Sequence, residues 1–170
     1  INQIYISTST FVVPTTIPGC LLWLDAMDAS SITITSSAVS QWNDKSGRMN
    51  HFTGVSGPVV LSNNVNNLNV LDFTGTKYLK STTVSFPTNY SIFAVGYTSN
   101  TNDYGRMIAG ASDGLLFFGS YKGNFATFSG TNTWNDTATN NPNISVSPVA
   151  NLMEMTNNNT SNGLIPYLNG

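Results

Sequence analysis

Apolar residues in this chain gather in short runs, and no segment repeats them at the i, i+3, i+4 spacing that an amphipathic helix needs. Ser91-Ile92-Phe93-Ala94-Val95-Gly96-Tyr97 is the cleanest such run; Leu21 to Leu24, Val39 to Trp42 and Val70-Leu71-Asp72-Phe73 are others. Turn-forming residues close them, as in Asn43-Asp44-Lys45-Ser46-Gly47 and Thr74-Gly75. Short apolar runs between dense turn signals predict strands. About ten of them in succession predict an all-β antiparallel sandwich with very little helix.

The 170 residues suit one domain with one substantial core, supplied by 40% hydrophobic residues. Charged residues make up only 8%, against roughly 25% in ordinary soluble domains. Asn, Ser and Thr fill the polar quota, and their short hydrogen-bonding groups favour turns and strand faces over helices. Six basic residues spread thinly, with a net charge of −2, argue against binding nucleic acid through its phosphates. The lone Cys20 excludes an internal disulfide and, beside Leu21 and Leu22, is expected to be a small buried apolar residue. No apolar run is long enough for a membrane span. Ile1 to Thr10 lacks the features of a signal peptide, and a start at Ile suggests a processed or excised piece.

In chain order, residues 1–19 read as an extended arm or edge strand, punctuated by Pro14 and Pro18-Gly19. Leu21–Leu24 is expected as a strand buried on both sides, followed by brief strands at Ile32–Ile34 and Val39–Trp42. Residues 48–60 read as irregular, and Ser62–Asn69, with five Asn, as a loop. Strands are expected at Val70–Phe73, from Tyr78, at Ser91–Tyr97, Arg106–Ala109, Gly114–Phe118, Asn124–Phe128 and Val149–Met155. Thr131–Pro142 is expected to be a polar loop around Trp134. The last segment, from Leu164, reads as a strand entering a type I′ turn at Asn169-Gly170.

Trp23-Leu24-Asp25-Ala26, then Val39 and Trp42-Asn43-Asp44-Lys45-Ser46-Gly47, with Gly57-Pro58 after them, together resemble the opening of the laminin-G-like, concanavalin A-like jelly-roll family. Val70-Leu71-Asp72-Phe73-Thr74-Gly75 with Tyr78-Leu79, Ser91 to Val95, and Tyr167-Leu168-Asn169-Gly170 extend the resemblance. It covers residues 20–97 well and residues 98–163 only in strand rhythm. It implies a two-sheet jelly-roll sandwich over 20–170 that is cut short at its C-terminal hairpin. In the family further strands follow that hairpin, so either the chain stops early or a partner strand completes the sheet.

Two carboxylates flanking a scissile bond define most glycosidases, yet the chain has one glutamate, Glu154, with no acidic neighbour. No nucleophile elbow accompanies the single histidine, His51, which is expected at the surface or on a loop. An enzyme is therefore not expected. The resemblance implies a calcium site at the rim, for which Asp103 with Asn100 and Asn102, or Asp136 with Asn132 and Asn135, supply oxygen ligands. The alternative for each cluster is a solvated Asx turn. Asp25 and Asp44 are read as structural, with Lys45 and Arg48 as candidate partners, and Trp23 and Trp42 as core. Trp134 among Asn132, Asn135 and Asp136 has the makings of a sugar-stacking site, the alternative being an indole tucked over the end of the sandwich, and Tyr104 and Tyr121 are loop aromatics with the same two readings.

These features predict a non-enzymatic recognition or adhesion module, extracellular or on a virion surface, that binds glycan or protein through rim loops. Calcium is the one cofactor considered. The alternative is a structural subunit of a virus particle, packed on neighbouring copies or capsid proteins through residues 1–13 and the C-terminal edge. Neither reading involves nucleic acid or a membrane span.

Overall fold

Two-residue turns and short antiparallel ladders organise the chain. The computed structural model describes residues 13–97, 105–110, 117–121, 124–129, 133–136, 150–157 and 164–168. They form thirteen strands and two single turns of 3-10 helix, Pro14–Thr16 and Ala29–Ser31, so the described residues are all-β. The chain divides into two units, Ile1–Ser85 and Phe86–Gly170.

In the first unit, β1 (Ile32–Thr35), β2 (Ala38–Trp42), β3 (Phe52–Ser56) and β6 (Tyr78–Lys80) make one sheet in the order β1-β2-β3-β6. Strands β4 (Val59–Val65) and β5 (Leu68–Asp72) form a separate hairpin. Thr35 pairs with Ala38 across Ser36-Ser37, and Val65 with Leu68 across Asn66-Asn67. All four turn residues have positive φ, between 49° and 67°. That is the type I′ geometry whose twist matches paired strands, and Asn tolerates it best after Gly.

Residues 48–60 were expected to be irregular, but β3 and the start of β4 lie there. The reason is a close approach of backbones: a methyl group at Gly54 or Gly57 would overlap the Val39 carbonyl. These glycines let β2 lie against the β3–β4 connection, and the Val39 N–H donates to the Pro58 carbonyl at 2.9 Å. Val39 itself is only 1% exposed. The expected loop at Ser62–Asn69 is also corrected, since its first half continues β4 and Asn66-Asn67 is the turn. Ser62, Asn63 and Asn64 are exposed and bulge from the hairpin between the Leu61–Val70 and Val65–Leu68 pairs, with Asn63 at φ 53°. Leu21–Leu24, expected as a strand, joins no ladder.

The second unit contains β7 (Tyr90–Gly96), β8 (Gly105–Ala109), β9 (Phe117–Tyr121), β10 (Asn124–Ser129), β11 (Thr133–Asp136), β12 (Asn151–Asn157) and β13 (Leu164–Leu168). They pair as β13-β12-β7 and β11-β10-β9-β8. Among the described residues, Met153 and Met155 of β12 form a core cluster, with Tyr90, Ile92 and Ala94 of the neighbouring β7 and Ile108 of β8 packed against them. Met155 is 0% exposed. Thr133–Asp136, expected within a loop, is a strand whose Trp134 stands opposite Phe128. Tyr121 likewise ends β9 instead of lying in a loop. Pro166 is tolerated in β13 because, among the described strands, that strand pairs only with β12 and so forms the edge of its sheet. Residues 1–12 of the expected arm and the Asn169-Gly170 turn lie outside the described residues.

Candidate functional site

Two regions gather chemically expressive side chains. The first joins residues 20–28 to residues 43–51. Because Leu21–Leu24 has no strand partner, the Asp44 side chain takes the place of a ladder. Its Oδ1 accepts from the Trp23 N–H at 3.0 Å and the Ser46 N–H at 2.8 Å. Its Oδ2 accepts from the Ser46 hydroxyl at 2.7 Å and the Asn50 N–H at 3.0 Å. The Lys45 N–H donates to the Trp23 carbonyl at 2.8 Å, and the Asn50 amide to the Leu21 carbonyl at 2.9 Å. Asp44 is 7% exposed. Burial alone would push its carboxyl up, but the hydrogen bonds from Trp23, Ser46 and Asn50 outweigh it and hold the group below the usual carboxylate range.

Lys45 completes the clamp. Its ammonium lies 2.9 Å from Asp25 Oδ2, 2.8 Å from Asp28 Oδ2 and 4.2 Å from the centre of the Trp23 ring. The hydrogen bond from Lys45, helped by Ser30, draws the Asp28 carboxyl down to about 2. Asp28 and then Asp25 push the Lys45 ammonium up. Asp28 also caps the Ala29–Ser31 turn through the Ser30 N–H at 3.1 Å. Trp42 Nε1 donates to the Asp25 carbonyl at 3.3 Å, and Arg48 Nε to the Cys20 carbonyl at 3.0 Å. Asp44 is thus structural as expected, and Asp25 and Lys45 form a pair. Arg48 holds a backbone carbonyl instead of either aspartate. Trp23, Trp42 and Cys20 are half-buried where fuller burial was expected. His51, expected at the surface or on a loop, lies outside the strands and is half-buried, and its Nδ1 accepts from the Asp44 N–H at 3.1 Å.

This clamp is chemically satisfied. Its carboxylate oxygens and its ammonium are engaged within the chain, which leaves little to hold a ligand or move a proton. A hollow of about 70 Å³ nearby is lined by Ala26, Ala29, Ile32, Ile34, Val60 and Asn69. It lacks the convergent polar groups of a small-molecule site.

The second region is the outward face of β7 and β12. Burial alternates along β7, with Ile92 and Ala94 on the core side and Ser91, Phe93 and Val95 exposed. Phe93 is 62% and Val95 73% exposed. Across the ladder Val95 stands opposite Leu152, Phe93 opposite Glu154, and Ser91 opposite Thr156, whose hydroxyl lies 3.0 Å from that of Ser91. Ser91–Tyr97, read as a core strand, therefore has one buried face and one open apolar face. The signal was present in the sequence, since both phases of that run carry apolar residues where a one-sided strand would alternate with polar ones.

Of the residues considered for sugar or calcium, Trp134, Asn135 and Asp136 lie on β11, opposite Phe128, Thr127 and Ala126. Asn132, Tyr104, Asp103, Asn100 and Asn102 lie outside the described residues. Among the described residues, no three His, Cys, Asp or Glu side chains gather to hold a metal ion, and no helix is long and apolar enough to cross a membrane. No protein-family model, curated protein or solved structure matches the chain.

Proposed function

We propose that the chain is a non-enzymatic recognition module, an antiparallel two-sheet sandwich of the laminin-G-like, concanavalin A-like jelly-roll type. It binds a protein or glycan surface outside a cell or on a virion. The observation that carries this reading is the exposed apolar pair Phe93 and Val95 on paired strand β7. Apolar side chains held on a ladder gain when a partner displaces water from them, and Glu154 with the Ser91 and Thr156 hydroxyls adds polar contacts beside them. The family reading draws support from the clamp that ties the Trp23 segment to the turn after Trp42. The non-enzymatic reading draws support from the single glutamate and the engaged side chains of Asp25, Asp28, Asp44 and Lys45. Calcium at Asp103, Asn100 and Asn102 belongs to the same proposal, and a melting temperature lowered by EDTA is its sign.

A structural particle subunit is the second reading, because the same apolar face suits burial against neighbouring chains. One set of measurements separates the two. The native chain, Phe93→Ser and Trp134→Ala are compared on a glycan array and by light scattering across a concentration series. Recognition predicts binding that Phe93→Ser or Trp134→Ala abolishes without altering the melting temperature. A subunit predicts self-association that Phe93→Ser disrupts. Polysaccharide hydrolysis abolished by Glu154→Gln would overturn both.

A further inference from the structure

The partner of His51 dictates which form of its ring the fold accepts. A backbone N–H can only donate, so the Asp44 N–H, 3.1 Å from Nδ1, requires a lone pair on that nitrogen. A proton on Nδ1 would set donor against donor and leave the amide of a buried residue without its acceptor. The carboxylate of the same residue anchors Trp23, Ser46 and Asn50, so a shift of the Asp44 backbone reaches the whole clamp. The charged groups of the adjoining segments have settled roles. The Asp44 carboxylate is filled by four donors. Lys45 is held by Asp25 and Asp28, and Arg48 Nε bonds the Cys20 carbonyl. Lys80 is exposed on β6 opposite Thr53.

We propose that His51 is a proton-sensitive latch: its neutral ring keeps residues 43–51 clamped to residues 20–28, and protonation of Nδ1 loosens them. Histidine is the side chain suited to such a change between about pH 5 and 8. Amide hydrogen exchange of the full chain, corrected for intrinsic rates, tests this at pH 8 and pH 5.5. Protection of the Asp44 and Trp23 amides is expected to fall severalfold at the lower pH, up to the ceiling of about tenfold that one proton taken up by an imidazole allows at pH 5.5. His51→Asn offers a non-titrating oxygen near the position of Nδ1, and should keep the protection seen at pH 8 while losing the pH dependence. Equal protection of the native chain at both pH values, or a pH dependence that survives in His51→Asn, would overturn the proposal. Nitrogen-15 shifts of the native imidazole supply a readout that needs no variant. At pH 8 they should report an unprotonated Nδ1, and a protonated one would overturn the latch.

Discussion

The backbone N–H of Trp23 donates to the side-chain carboxylate of Asp44 at 3.0 Å, across 21 residues of chain. A segment that joins no sheet is thereby tied to residues 44–50, the Asp44 carboxylate acting together with the Lys45 N–H and the Asn50 amide where a neighbouring strand would ordinarily act.

Asp44→Ala should therefore cost more than a surface substitution. It removes the acceptor of three backbone N–H groups, those of Trp23, Ser46 and Asn50. A loss of about 2–4 kcal/mol is expected in urea unfolding. A change within about 0.5 kcal/mol would mean that water replaces the carboxylate without penalty.

Acid should undo the same region. The Asp44 and Asp28 carboxyls are both held below their ordinary range when folded, Asp28 at about 2. Groups lowered in the folded state stabilise it above their unfolded pKa and lose that contribution as pH falls through the folded value. Stability should decline between about pH 4 and 2. Asp28→Asn should flatten that decline in a series of urea midpoints against pH. On the alkaline side the sign reverses. The raised Lys45 ammonium stabilises the fold fully below its ordinary range of about 10.4, and the effect is lost as pH rises through its higher folded value.

Gly54→Ala and Gly57→Ala should each destabilise, because the added methyl meets the Val39 carbonyl, which is backbone and cannot rotate away. Overpacking of this kind costs about 1–3 kcal/mol. Circular-dichroism melts of the two variants would show it, and unchanged melts would mean that β2 and the β3–β4 connection separate readily.

Ser37→Gly should stabilise. Ser37 has φ of 67° in the β1–β2 turn, a conformation that penalises a side chain and suits glycine. The gain should be about 0.5–1 kcal/mol once the greater freedom of unfolded glycine is subtracted. A lower urea midpoint would show that the Ser37 side chain stabilises the turn.

Strand and turn chemistry was legible wherever local pattern decided the outcome. Ile32–Ile34, Val39–Trp42 and Arg106–Ala109 fall on strands, and the absence of helical spacing matches the all-β result. Reading failed where a distant partner decided. Gly54 and Gly57 look like loop residues until the Val39 carbonyl is placed beside them. Asn63 and Asn64 look like loop residues because they bulge from the ladder, and only the Val65–Leu68 pair beyond them shows that the hairpin resumes. Leu21–Leu24 looks like a buried strand because nothing local reveals that a carboxylate 21 residues from Trp23 supplies its partner. Within the clamp, the pairing of Asp25 with Lys45 could be anticipated from charge. The acceptor role of His51 could not, because it depends on the path of the turn.

The pairing of β7 with β12 also has a kinetic consequence. Gly96 meets Asn151 only after the whole of 97–150, including β8 to β11, has been gathered into a loop, whereas the Ser36-Ser37 and Asn66-Asn67 hairpins join immediate neighbours. Loop-closure entropy makes that seam the slower one to nucleate. Until it closes, Ile92 and Ala94 have no Met153 or Met155 to cover them, and a nascent chain leaves that half of its future core open to association with other chains.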